Sequence, residues 1–144
     1  MCIVVYIASE IPLPTITSTG PVPAFHVIPL ESNDSAVRAR FSKPHVYYVG
    51  SHEGCGCGFA YGLWEGEPEA KAAASKYSVD RLADYLTVAT RSAGNIELYA
   101  CWDGDQNLEP LHRIELTPAS FGGASFAFEE RTFALITMSN RGDR

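Results

Sequence analysis

The sequence lacks a long apolar run and lacks an excess of basic residues. No stretch approaches the ~20 apolar residues that a membrane-spanning helix needs. Its 11 lysines and arginines are outnumbered by 17 aspartates and glutamates, which gives a formal net charge of −6. Because binding to a nucleic-acid backbone or to an anionic bilayer depends on positive charge, we expect neither nucleic acid nor a membrane as a partner.

The first residues also lack the features of an export signal. Residues 2–8 are apolar but have no basic flank, and a proline-rich segment follows soon after them. We therefore expect a cytoplasmic protein whose cysteines stay reduced. The chain has four cysteines, Cys2, Cys55, Cys57 and Cys101, which we interpret as thiols or metal ligands rather than as a disulfide framework.

The length and composition fit one globular domain that spans residues 1–144. Apolar residues make up 46% of the chain and charged residues 19%, which is enough for a core that needs no metal or disulfide. Apolar, β-branched and aromatic segments predict strands at 2–8, 25–30, 45–49, 96–102, 111–116 and 132–138. We predict an α+β fold, with a mixed sheet of about five to six strands.

One main helix is predicted over residues 79–92 and is expected to pack on one face of this sheet. Its apolar residues recur at helical spacing. Ser78 is a candidate N-cap, and Gly94 is a typical residue for the stop. The alanine-rich segment before Ser78, residues 67–76, predicts a separate short helix or lid.

The order of these elements suggests a place for a site. If the helix connects neighbouring third and fourth strands, these strands run parallel and their C-terminal ends lie at one edge of the sheet. The loop after the third strand and Cys101 in the fourth would then meet there. An antiparallel first strand would bring Cys2 to the same edge. Residues 103–110 predict a hairpin between the fourth and fifth strands.

The loop at residues 51–58 is rich in cysteine and glycine and contains a histidine. Zinc is bound by cysteine sulfur and histidine nitrogen in a tetrahedron, so we predict His52, Cys55, Cys57 and Cys101 as metal ligands, with zinc as the candidate cofactor. The glycines between them permit the tight turns that this spacing requires. The Cys-x-Cys spacing is tighter than the usual Cys-x₂₋₄-Cys of zinc sites, and simple packing of small buried thiols is the alternative.

The same loop also fits thiol chemistry. Cys55 could act as a nucleophile with His52 as its base, and Glu53 could orient the imidazole. The start Met1-Cys2 resembles that of amidotransferases of the N-terminal-nucleophile type, but only over these two residues, and we interpret Cys2 as a buried strand residue.

Two functions of different classes therefore follow from the sequence. The first is an interaction or regulatory module that binds zinc through the Cys/His loop and contacts another protein. The second is a small thiol-dependent enzyme that uses Cys55 or Cys57 with His52, in a pocket at the strand ends. Substrate, reaction and biological partner are not encoded in any motif.

Overall fold

The computed structural model describes residues 2–17, 25–30 and 32–138, and it contains one six-stranded sheet and one long helix. The strands are β1 (Ile3–Ser9), β2 (His26–Pro29), β3 (His45–Gly50), β4 (Ile96–Trp102), β5 (His112–Leu116) and β6 (Thr132–Ile136), and the helix is α1 (Glu69–Ala93). Short 3₁₀ helices span Ser32–Arg40, Gly56–Gly58 and Pro118–Phe121. This mixed sheet with one main helix confirms the predicted α+β class.

The sheet is built around β1 and β4, whose side chains are buried on both faces. The strand order is β2-β3-β1-β4-β6-β5, and among these six described strands only the β5–β6 pair is parallel. β1 runs antiparallel to both β3 and β4 and lies between them. The predicted parallel adjacency of the third and fourth strands is therefore wrong, although the two strands do run in the same direction.

The last two strands also pair differently from the prediction. β6 lies between β4 and β5, so residues 103–110 do not close a hairpin. Asp105 N–H donates to the carbonyl of Trp102 and Leu108 N–H to that of Asp105, so the segment forms local turns.

The helix is longer than predicted because the alanine-rich segment and residues 79–92 form one continuous element of 25 residues. Ser78 lies inside α1 rather than at its N-terminus, so the predicted cap is wrong. The predicted stop is confirmed, since Gly94 has φ 80° and its N–H donates to the carbonyl of Thr90.

Two clusters of apolar side chains stabilise the sheet from opposite faces. The larger one joins α1, through residues such as Val79, Leu82 and Leu86, to Val5 and Leu98 of the central strands. The smaller cluster lies on the face opposite α1 and contains Val4, Tyr6, Val37, Val46, Tyr99 and Cys101. Because successive strand residues point to opposite faces, Cys101 of β4 lies on the face away from α1.

The described part of the chain has no helix with both the length and the apolar character needed to span a bilayer.

Candidate metal site

The loop after β3 is folded around the buried hydroxyl of Ser51. Ser51 Oγ donates to the carbonyl of Cys55 at 2.6 Å and accepts the N–H groups of Glu53 and Gly58, both at 3.1 Å. The backbone of Ser51 adds two bonds, from its N–H to the Cys55 carbonyl and from Gly54 N–H to its own carbonyl. These bonds close the loop on itself and determine where the cysteines lie.

Hydrogen bonds from both sides connect this loop to β3 and α1. The Tyr48 hydroxyl donates to the carbonyl of Gly54 at 2.8 Å. On the other side, His52 N–H donates to Ser78 Oγ of α1 at 3.1 Å, and His52 Nδ1 lies 2.8 Å from the same oxygen. Ser78 is buried in mid-helix, so the residue predicted as a helix cap instead connects α1 to the loop.

Glycine is required where the loop meets β1. A methyl group at residue 56 would lie 2.7 Å from Val5 Cγ2 and 3.0 Å from the carbonyl oxygen of Ile3, which is closer than carbon atoms pack. Gly54 has φ 90°, a conformation that other residues rarely adopt. The loop can therefore press its Gly56–Gly58 turn against the start of β1, on the side of the sheet that carries α1.

This contact brings three cysteines together. The sulfur atoms of Cys2, Cys55 and Cys57 all lie within 4.8 Å of one another. We call these residues the three-thiol group. Cys2 comes directly before β1, whose antiparallel orientation places its start beside the end of β3. Cys2 is exposed, contrary to the interpretation as a buried strand residue, whereas Cys55 and Cys57 are half-buried.

Backbone amides point at two of these sulfurs. Ile3 N–H donates to Cys57 Sγ at 3.3 Å, and Cys57 N–H donates to Cys55 Sγ at 3.5 Å. Such donors stabilise negative charge on sulfur, as they do around metal-bound thiolates. The sulfurs therefore lie in an environment that is partly prepared for thiolates.

The free thiol of Cys55 nevertheless holds its proton firmly. Burial raises its pKa from 9.0 to about 12. The hydrogen bond from the Cys57 backbone opposes this shift, while the neighbouring thiols of Cys2 and Cys57 add to it. Several thiols packed this closely cannot all ionise without a positive charge among them, and a bound cation would supply that charge.

The other two predicted ligands lie elsewhere. The Cys101 side chain is fully buried in the cluster on the face of the sheet opposite α1. The imidazole of His52 contacts Ser78 through Nδ1, and its Nε2 lies 3.8 Å from Glu53 Oε2. Within the described residues, the group of nearby ligand atoms consists of Cys2, Cys55 and Cys57 only. Of the predicted set, the structure thus brings together Cys55 and Cys57, and it adds Cys2.

The three-thiol group has a donor set that fits a soft or borderline metal ion. With sulfur near 2.3 Å from zinc, ligands of a tetrahedral site lie about 3.8 Å apart, a separation that falls within the 4.8 Å of this group. Thiolates favour zinc or Cu(I) over magnesium and calcium. The group is thus close enough to bind a metal ion.

Comparison with known proteins gives no further assignment, because no protein-family model, curated protein or solved structure matches the chain. The fold and the site define an α+β protein with a three-thiol group at one end of its sheet.

Proposed function

We propose that this protein binds one zinc ion through the thiolates of Cys2, Cys55 and Cys57 and acts as a zinc-dependent interaction or regulatory module. The observation that carries the proposal is the mutual approach of three sulfurs within 4.8 Å, from two parts of the chain that are far apart in sequence. The N–H donors at Cys55 and Cys57 support it, because they favour the ionised form that zinc requires.

Three protein ligands would leave a fourth position on the metal, which a partner protein could fill. Zinc sites of the structural type have four protein ligands, whereas sites with three protein ligands keep one position for water or another molecule. Three thiolates around Zn²⁺ also leave a net negative charge, which a neutral fourth ligand does not increase. Because Cys2 is exposed, a side chain of a partner protein could reach the metal and complete its coordination.

Thiol catalysis by Cys55 with His52 is the weaker alternative. A catalytic cysteine needs a lowered pKa, and burial raises the pKa of Cys55 to about 12. The His52 ring also contacts Ser78 through Nδ1. The raised pKa weighs against Cys55 as a nucleophile, and the Ser78 contact occupies one of the two ring nitrogens of its proposed base.

The first test is metal stoichiometry. Untagged protein, reduced and stripped with a chelator, is titrated with zinc and analysed for metal content after removal of free ions. We expect one zinc per chain in the wild type and loss of tight binding in Cys2→Ser, Cys55→Ser and Cys57→Ser. Cys101→Ala is the matched control, since it removes a thiol from the opposite face, and it should bind zinc normally. Equal zinc binding by the wild type and Cys2→Ser would contradict the proposed ligand set.

The second test concerns the fourth ligand. Cobalt(II) in a tetrahedral thiolate site gives visible bands and a thiolate charge-transfer absorption, which serve as the probe. Free imidazole should shift these bands if the fourth position is open. An unchanged spectrum with imidazole, together with an altered spectrum in His52→Ala, would mean that His52 completes the site and would refute the open position.

A further inference from the structure

The sheet ends in an edge strand whose outward backbone groups have no partner in the described residues. β5 is the last strand of the sheet and pairs only with β6. His112 N–H donates to the Arg131 carbonyl at 3.2 Å, and Thr137 N–H donates to the Leu116 carbonyl at 2.9 Å. In a parallel pair, every second residue of a strand bonds to the same neighbour, and His112 and Leu116 belong to the set that bonds to β6. The N–H and C=O groups of the residues between them, Arg113 and Glu115, therefore point away from β6.

An exposed edge of this kind can template pairing with another strand. The first four residues of β5 are exposed and the last is half-buried. We propose that two copies of this chain pair through β5, in antiparallel orientation, about a two-fold axis at Ile114. The two six-stranded sheets would then form one continuous sheet.

The outward groups match this register. With Ile114 on the axis, Arg113 of one copy lies opposite Glu115 of the other, and the reverse pair follows by symmetry. Both residues have their backbone groups directed outward, so each pair exchanges two N–H···O bonds. A register shifted by one residue would set an outward residue against an inward one and lose these bonds.

The side chains select the same register by charge. On the face opposite α1, the pairing sets an arginine against a glutamate twice, and opposite charges across a strand pair are stabilising. The Arg113 guanidinium lies 5.0 Å from the ring centre of Phe133, which holds it on that face. Axes at Arg113 or Glu115 would instead set two like charges directly opposite each other, which is destabilising.

The other face of β5 supplies an apolar contact. Ile114 is 43% exposed and lines a cavity of about 250 Å³ together with Leu116, Phe126 and Phe128. In the proposed pair, the two Ile114 side chains face each other with Cβ atoms about 4.5–5.5 Å apart. Each copy would thus bury the exposed isoleucine of the other and cover the rim of this cavity.

The test is sedimentation of the full chain over a range of concentrations, with a reductant and a chelator present so that neither a disulfide nor a bridging metal can join the copies. We expect a mass that approaches twice 15.7 kDa as the concentration rises. A wild-type protein that stays monomeric at its highest soluble concentration would overturn the proposal, even if it paired with a strand of another protein.

Two sets of variants identify the surface. Arg113→Pro removes an outward N–H that β6 does not use, and proline is tolerated on such an edge. It should stay folded by circular dichroism and be monomeric. Glu115→Arg and Arg113→Glu each set like charges opposite each other and should be monomeric when alone, whereas an equimolar mixture should form a heterodimer. A dimer that persists in Arg113→Pro, or a mixture that stays monomeric, would refute this interface.

Discussion

The contact between Gly56 and β1 provides a test of how the fold forms the three-thiol group. In Gly56→Ala the new methyl carbon would lie 2.7 Å from Val5 Cγ2 and 3.0 Å from the Ile3 carbonyl. Since carbon atoms pack at about 3.5–4.0 Å, the loop must move by about 1 Å. Overpacking of this kind costs about 1–3 kcal/mol of unfolding free energy.

The same displacement should weaken metal binding. Cys55 and Cys57 flank the substituted residue, so their sulfurs would move away from Cys2 by a similar distance. Metal sites tolerate only about 0.2 Å of deviation in their ligand distances. We therefore expect zinc affinity to fall by at least the ~10–100-fold that mutation of outer-shell groups causes.

The assay combines urea unfolding of the metal-free protein with zinc titration against a chromophoric chelator. Gly66→Ala is the control, because Gly66 has φ 83°, where alanine is strained, but a methyl group there would meet nothing within 4 Å. This control should lose about 1–2 kcal/mol through backbone strain and keep its zinc affinity. If Gly56→Ala is destabilised but binds zinc as tightly as the wild type, the contact of Gly56 with β1 does not position the ligands.

Three further predictions concern the core and the thiols. Tyr47→Phe leaves the buried N–H of Leu13 without its 2.8 Å acceptor and should cost about 1–3 kcal/mol in urea unfolding. Leu82→Ala, at a fully buried position of α1, should cost about 2–5 kcal/mol, whereas Val88→Ala on the exposed side should change the same measurement little. In the metal-free protein, iodoacetamide should label Cys55 at least about tenfold more slowly at pH 8 than an ordinary thiol, because only the thiolate reacts and burial raises its pKa from 9.0 to about 12. The rate, followed by tandem mass spectrometry, should rise with pH up to that value, and rapid labelling at pH 7 would support thiol catalysis instead.

The two central strands were predictable from sequence because their residues are buried on both faces. β4 spans Ile96–Trp102 as predicted, and β1 lies within one residue of its predicted bounds. The order of the strands was not predictable in the same way. Insertion of β1 between β3 and β4, and of β6 between β4 and β5, depends on long-range pairing, which no local pattern of apolar residues encodes.

The start of the helix shows how a tertiary contact can compete with a local signal. Serine before an apolar segment is typical of an N-cap. In this fold the alanine-rich residues before Ser78 are already helical, so Ser78 is not the first residue of the helix. The Ser78 hydroxyl instead accepts the N–H of His52. That contact depends on where the loop after β3 lies, so the sequence around Ser78 could not reveal it.

The site could be predicted in part. The Cys55–Cys57 pair follows from the loop sequence. The third cysteine was predicted to be Cys101 of β4, whereas in the structure it is Cys2, which comes directly before β1. The alternation of side chains along β4 places Cys101 on the face opposite Ala100, which contacts the α1 side of the core. The alternation of side chains along β4 was therefore a usable signal against Cys101 as a ligand. An antiparallel first strand, which brings its N-terminal end to the loop after β3, was a usable signal for Cys2.

The two proposals concern distant parts of one sheet and can fail separately. β1, which begins beside the three-thiol group, and β5 are separated by β4 and β6, a distance of three strand spacings of about 4.8 Å, or roughly 14 Å. Pairing through β5 therefore leaves Cys2 and its neighbours uncovered. The monomeric Arg113→Pro variant should bind one zinc with wild-type affinity, and Cys2→Ser should sediment as the wild type does. If loss of zinc also abolished the dimer, the metal would be part of the interface between the copies, and the assignment of that interface to β5 would be wrong.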